Sequence, residues 1–252
     1  LSLDDQRAVN YVKDYFRCLS SHLKSQELGD GRSWLDIYVQ HVGDEPIKEN
    51  IDSWEAIARI IKESAPDLKI IEAYRTPYFN QELIDIVIPQ LDELEWPVYR
   101  DIPYQHQCWF YTCMYPRSNY ANRYVTLPLI KTRILHWINF KYETDGYLHW
   151  GLNSWSADGD PWKDVSAPAN DWPGGDSHII YPAYMKVYPS IRFKAMRDGI
   201  NDYTLLQMVA KRSPITAQNF VNKIIWDYSS YDTSVVNFRS IRREILEYLS
   251  LY

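Results

Sequence analysis

Apolar residues recur at three- and four-residue steps through Val9, Val12, Phe16, Leu19 and Leu23, the spacing of one face of an amphipathic helix that Gly29 and Gly31 bring to a stop. The period then changes. Residues 34–42 are rich in β-branched and aromatic side chains and predict a strand that runs out into Gly43-Asp44-Glu45-Pro46. A second helical pattern begins near Ser53, with Trp54, Ile57, Ile60 and Ile61 on one face and Pro66 as its stop. Short apolar runs at 68–73, 84–88 and 107–114 predict three more strands. Helical spacing returns over 129–140, a fifth strand is predicted at 146–150, and a short sixth at 178–181. After Ser190 the pattern is helical, with Met196, Ile200, Tyr203 and Leu206 on one face, and two further helices lead to Tyr252.

Strands alternating with helices predict an α/β fold with a parallel sheet covered by helices. Neither G-x-G-x-x-G nor G-x-x-x-x-G-K-[ST] occurs, which weakens the dinucleotide-binding and P-loop versions of that architecture. Polar and aromatic residues instead collect where strands end, the place where (β/α)8 TIM-barrel enzymes build their sites. Only five or six strands are predicted, and the chain opens on a helix. The expectation is therefore an incomplete barrel whose first strands lie upstream. Residues 1–210 would form its C-terminal part, and 211–252 extra helices packed on it. The Gly-, Pro- and Asp-rich stretch 156–177 reads as a long loop, because strand-like sequence resumes after it.

Composition narrows the function. A formal charge of −6 lacks the basic footprint of a nucleic-acid binder, and no apolar run is long enough to cross a bilayer, so neither partner is expected. Three cysteines form no disulfide framework and no zinc pattern, and no metal or other cofactor is expected. On one strand, Cys108 and Cys113 would fall on opposite faces and not bridge. Ten Trp and 21 Tyr are the unusual entries, since such rings either fill a core or offer flat apolar faces with polar tips to a ligand. Compartment is left open, with extracellular or periplasmic placement the leading expectation.

The sharpest local feature is Asp44-Glu45 at the end of a predicted strand. Adjacent carboxyls repel when both are ionised, so one can hold a proton near neutral pH, as a general acid must. From these residues alone, a turn or a helix cap is the simpler account. Neighbouring acids on an extended backbone point to opposite sides, which suits them poorly to flank a scissile bond as acid and nucleophile. They fit better a division in which one protonates the leaving oxygen and the other orients a nucleophile of the substrate, such as a 2-acetamido group. Glu72, in Ile70-Ile-Glu-Ala-Tyr74, is expected to point inward, towards either a buried cation or a substrate hydroxyl. Trp109, Tyr111, Tyr115, Asn122-Arg123, His149-Trp150, Asn153 and Gly174-Gly175-Asp176 follow the later strands. Singly each ring is a core residue. Together they match the apolar faces and hydroxyl belt of a sugar. His41, His106, His136, His149 and His178 show no metal-binding spacing and read as hydrogen-bonding or core residues, and no G-x-S-x-G occurs.

The ordered set Gly43-Asp-Glu-Pro46, Ile70-Ile-Glu-Ala73, Trp109-Phe-Tyr-Thr-Cys113, Asn122-Arg123, Leu148-His-Trp-Gly-Leu-Asn153 and Arg197-Asp-Gly-Ile-Asn-Asp-Tyr203 resembles the catalytic domain of glycoside hydrolase family 123 from about Trp34 to about Leu206. The resemblance implies a (β/α)8 barrel and a retaining, substrate-assisted β-N-acetylgalactosaminidase mechanism without cofactor. It places the general acid/base on Glu45 and the residue that orients the acetamido group on Asp44. Glu72, Trp109, Tyr111, Tyr115, His149, Trp150, Asn153 and Asp176 would bind the glycan. It also implies upstream barrel strands and a β-sandwich domain as partners within the same protein. Two rival functions are a glycan-binding barrel without turnover and a related glycosidase acting on a sugar that lacks the acetamido group.

Overall fold

A computed structural model describes residues 3–75, 80–95, 99, 107–155, 159–165 and 172–251. His106 and parts of the 156–177 stretch lie outside the described residues. The chain separates into two compact units, Leu1–Pro89 with Trp96–Cys108, and Gln90–Glu95 with Trp109–Tyr252.

The first unit holds helix α1 (Gln6–Ser25), strand β1 (Val39–His41), helix α2 (Ile51–Ser64), and strands β2 (Lys69–Tyr74) and β3 (Ile86–Pro89). Asp5 caps α1 by accepting the Arg7 N–H, and α1 packs on α2. Strand β2 is buried from Ile70 through Tyr74, side chains of both faces included, as a parallel strand covered on two sides must be. The strand expected from residue 34 begins only at Val39. Ser33 and Asp36 form a reciprocal capping box that draws Trp34–Asp36 into a 3-10 turn, where local hydrogen bonds override the β-like composition.

In the second unit, strands β4 (Gln107–Tyr111) and β5 (Gly146–Leu148) pair over Trp109 to Tyr111; only Gln107 and Cys108 of β4 belong to the first unit, where they pair with β3. Helix α3 (Leu129–Lys141) is buried around much of its circumference and packs on α4 (Ile191–Arg212). Gly199 permits that approach, since a Cβ there would lie 2.5 Å from the Arg133 carbonyl oxygen. Helices α5 (Pro214–Asn222) and α6 (Val235–Ser250) also pack on α4.

The five strands are parallel, and their order in the sheet, β1-β2-β3-β4-β5, is their order in the chain. The fold is thus α/β, with the strand sequence of an incomplete (β/α) barrel, and the described residues contain no ring of eight strands. The sixth strand expected at 178–181 is not part of this sheet. It enters an antiparallel hairpin, β6 (Ile180–Ala183) with β7 (Lys186–Pro189), turned at Tyr184-Met185 with Met185 at φ 55°. All three cysteines are free.

Candidate active site

Strand β1 leads into a bend over residues 43–45 that leaves Asp44 exposed and Glu45 half-buried. The backbone is not extended there: Glu45 has φ 45°, left-handed for a residue with a Cβ, which costs on the order of 1–3 kcal/mol. Glu72, on the neighbouring strand β2, is fully buried, and four donors converge on its carboxylate. Oε2 accepts from Gly43 N–H at 2.8 Å and from the Trp54 indole at 2.7 Å. Oε1 lies 3.0 Å from His41 Nδ1 and accepts from Ala73 N–H at 3.2 Å. These fill roughly the four lone-pair positions of a carboxylate, and among the described residues no Arg or Lys side chain is paired with Glu72. The Nδ1 atom of His41 also lies against the Gly43 carbonyl oxygen. Both neighbours accept, so Nδ1 carries a proton. A Cβ on Gly43 would come within 3.0 Å of Trp54 Cδ1, so the indole that donates to Glu72 also closes against this glycine.

The second unit holds the aromatic cluster. Trp150 is 42% exposed, and its indole N–H donates to Asp176 Oδ2 at 2.8 Å. Asp176 is buried, with Oδ1 3.2 Å from His149 Nε2. Because His149 Nδ1 accepts the Gly151 N–H at 3.1 Å, the ring proton sits on Nε2. Burial, aided by the Arg123 charge, pushes His149 down to about 3, so the ring is neutral. Arg123 donates to the Asp176 carbonyl, while Arg192 donates to the carbonyls of Arg123, Gly175 and His178. Gly175 has φ +81°, and a Cβ there would lie 2.5 Å from the Arg192 guanidinium, so only glycine suits this corner. Asn122 organises the loop after β4: its amide donates to the Cys113 and Pro116 carbonyls and to Tyr124 Oη, and its oxygen accepts from Thr112. That loop carries Tyr115, which is 41% exposed and packs under Arg117.

Of the residues expected to meet a glycan, Tyr115, Trp150 and Asn153 are exposed and Trp109 is half-buried. The Trp109 ring lies against Gly146, where a Cβ would fall 2.6 Å from the indole. Glu72, Tyr111, Asp176 and the His149 side chain are buried instead. His41, read from the sequence as a hydrogen-bonding or core residue and not assigned to the site, joins β1 to β2 through its link to Glu72. Its place two residues before Gly43 in the Asp44-Glu45 segment was the available signal.

Among the described residues, no group of three or more His, Cys, Asp or Glu side chains is placed to hold a metal ion, and no helix is long and apolar enough to cross a membrane. No curated protein matches the sequence at a significant level. The family model for the glycoside hydrolase 123 catalytic domain, in contrast, matches residues 1–209. An acidic pair at a strand exit and a surface of tethered aromatics accord with that match, and the chain belongs to the glycoside hydrolase 123 catalytic-domain family, which makes it a glycosidase.

Proposed function

We propose that the protein cleaves β-glycosides of 2-acetamido sugars, N-acetylgalactosaminides foremost, with retention and by substrate assistance. The observation that carries this reading is the adjacency of Asp44 and Glu45 on one bend at the exit of β1. A retaining enzyme with a side-chain nucleophile sets its two carboxyls about 5–5.5 Å apart across the scissile bond, usually on separate elements. Neighbours in sequence suit one side of the sugar better. Glu45 gives its proton to the leaving oxygen as the bond from that oxygen to the anomeric carbon breaks. The acetamido carbonyl oxygen attacks the same carbon from the other face, closing an oxazolinium ring. Asp44 accepts a hydrogen bond from the acetamido N–H and stabilises the positive charge that develops there. Water then attacks the anomeric carbon, Glu45 takes its proton, and the ring reopens to the acetamide. Two inversions give net retention.

Within the second unit, Tyr115, Trp150 and Asn153 offer exposed stacking and hydrogen-bonding surface of the kind a glycan takes, and Asp176 and His149 support Trp150 from behind. The test compares aryl N-acetyl-β-galactosaminide with the matching β-galactoside, and activated with poor leaving groups. Turnover is expected to require the acetamido group. Glu45→Gln is expected to lose about 10²–10⁴-fold on poor leaving groups and much less on activated ones, whereas Asp44→Asn slows both kinds. A trapped covalent adduct between sugar and a carboxylate would refute the mechanism.

A further inference from the structure

We propose that Glu72 is a positioning residue for the Asp44-Glu45 pair, acting through the Gly43 peptide and the His41 ring and not by touching the sugar. The inference rests on the assignment of catalysis to those two acids. Glu72 sits on β2, beside the strand that carries them, and its carboxylate takes hydrogen bonds at both ends of the short path from β1 to the bend. His41, the last residue of β1, presents Nδ1 to Oε1 at 3.0 Å. Gly43, the residue before Asp44, presents its N–H to Oε2 at 2.8 Å. Trp54 of α2 donates to the same Oε2 at 2.7 Å, which fixes the carboxylate plane from the helix side. The His41 ring also spans the bend, because Nδ1 reaches the Gly43 carbonyl. Gly43, the residue leading into the catalytic pair, is therefore held through the N–H of one of its peptides and the carbonyl of the next. The Glu72 carboxylate and the Trp54 indole are buried, which strengthens the bond between them, while the His41 ring and Gly43 reach the carboxylate from the partly exposed side.

Such a clamp has a definite use at a backbone that is held in a sparsely populated conformation. Glu45 at φ 45° relaxes unless its surroundings impose that angle, and relaxation displaces the acid from the leaving oxygen. A displacement of about 1 Å costs on the order of 100-fold in rate without removing any contact to substrate. Loss of the clamp therefore appears in kcat, while KM, set by the exposed aromatics and polar groups, stays nearly constant.

Two kinds of measurement test the proposal. The first is independent of activity: exchange of the Gly43 amide proton and the nitrogen shifts of the His41 ring, followed by NMR. In the native protein Gly43 is expected to be protected and neutral His41 to be in the Nδ1–H form. In Glu72→Gln the amide NH2 faces donors whichever side it takes, His41 and Ala73 on one or Gly43 and Trp54 on the other, and the oxygen that remains has lost its charge, so Gly43 is expected to exchange about 10–100-fold faster and the His41 tautomer to shift. The second is kinetic. Glu72→Gln is expected to lower kcat by about 10–100-fold with KM within about threefold, more strongly on poor leaving groups. His41→Asn, which keeps a donor near the Nδ1 position, is expected to restore most of the kcat lost in His41→Ala. Should Glu72→Gln fail to fold, Trp54→Phe removes one donor to the same oxygen and is expected to shift Gly43 exchange and kcat in the same directions. A rise in KM at constant kcat, an unchanged Gly43 amide, or His41→Asn as damaging as His41→Ala would each overturn the proposal. If Asp44→Asn and Glu45→Gln leave turnover intact, the catalytic assignment falls, and the exchange data still decide whether the clamp exists.

Discussion

Replacing Asp202 by Asn tests how the helices of the second unit are held together. Asp202 is 1% exposed and accepts from Arg133 Nε at 2.6 Å, Arg133 Nη2 at 2.9 Å and Arg242 Nε at 2.8 Å, with the Trp137 indole a fourth donor at 3.2 Å. Charge-assisted bonds contribute about 1.5–3 kcal/mol each, so three guanidinium bonds set an upper bound of about 9 kcal/mol. The arginine side chains are 22% and 35% exposed, so both guanidiniums regain water when the carboxylate is lost. That recovery brings the expected cost to about 3–5 kcal/mol, or a Tm lower by roughly 6–20 °C for a chain of this size. Arg242→Met leaves the Arg133 pair in place and is expected to cost only about 0.5–1.5 kcal/mol. Urea unfolding, followed by tryptophan fluorescence and far-ultraviolet dichroism so that the two units are resolved, measures both variants and their double mutant. A loss below about 1 kcal/mol for Asp202→Asn, or Arg242→Met costing as much as Asp202→Asn, would refute the reasoning. Arg242 lies beyond residue 209, where the family match ends, so its coupling to Asp202 also measures how far α6 belongs to this fold.

Acid should weaken the protein before its carboxylates titrate. Burial holds His149 and His136 neutral down to about 3 and about 4, whereas unfolded histidines take up protons near 6.5. From pH 6.5 down to 4 the unfolded chain thus binds more protons than the native one, and stability falls by up to about 1.4 kcal/mol per pH unit for each ring; equal urea midpoints at pH 7 and 5 would contradict this. Gly151→Ala sets a Cβ 2.5 Å from the Ser177 carbonyl oxygen, a backbone atom that cannot swing aside, so a loss of about 1–3 kcal/mol is expected by thermal melting, and a neutral result would show that the Gly151 and Ser177 backbones can part. Trp150→Ala is expected to raise KM for glycan substrates about tenfold or more while kcat changes less; an unchanged KM would remove Trp150 from the sugar surface.

Much of this architecture is legible in the residues. The β-branched runs at Ile70-Ile71 and Ile86-Val87-Ile88 are buried parallel strands because nothing local competes with that conformation. Pro66 follows the end of α2 closely, and Ser190 caps α4 by accepting the Phe193 N–H. The errors arose where a side chain bonds its own backbone or a distant partner decides the outcome. Ser33 with Asp36 turns a β-rich segment into a 3-10 turn. The strand read at 178–181 follows from composition, but composition does not show that its partner is the segment Lys186–Pro189 and not the parallel sheet. Glu72 was visibly inward-facing, yet its donors come from β1, α2 and its own strand, and a linear pattern cannot say which of several polar neighbours arrives. Asp202 was only one residue of a motif, since Arg133 and Arg242 lie 69 and 40 residues away.

Strand order has a consequence for how the chain is made. Each parallel strand pairs with the one synthesised just before it, so Lys69 can find Val39, and Ile86 can find Ile71, while later segments are still inside the ribosome. Loops closed over such short spans cost little entropy, and every added strand covers the open edge left by its predecessor. The side-chain ties of the second unit reach further. Tyr231 bonds the Asn119 carbonyl across 112 residues, and the Arg133–Asp202 pair spans 69. Helix α3, apolar around much of its surface, therefore leaves the exit tunnel well before α4 and Asp202 exist to cover it. During synthesis the interval between Leu129 and Asp202 thus leaves an apolar helix without its cover, the kind of surface that makes partly folded chains prone to associate.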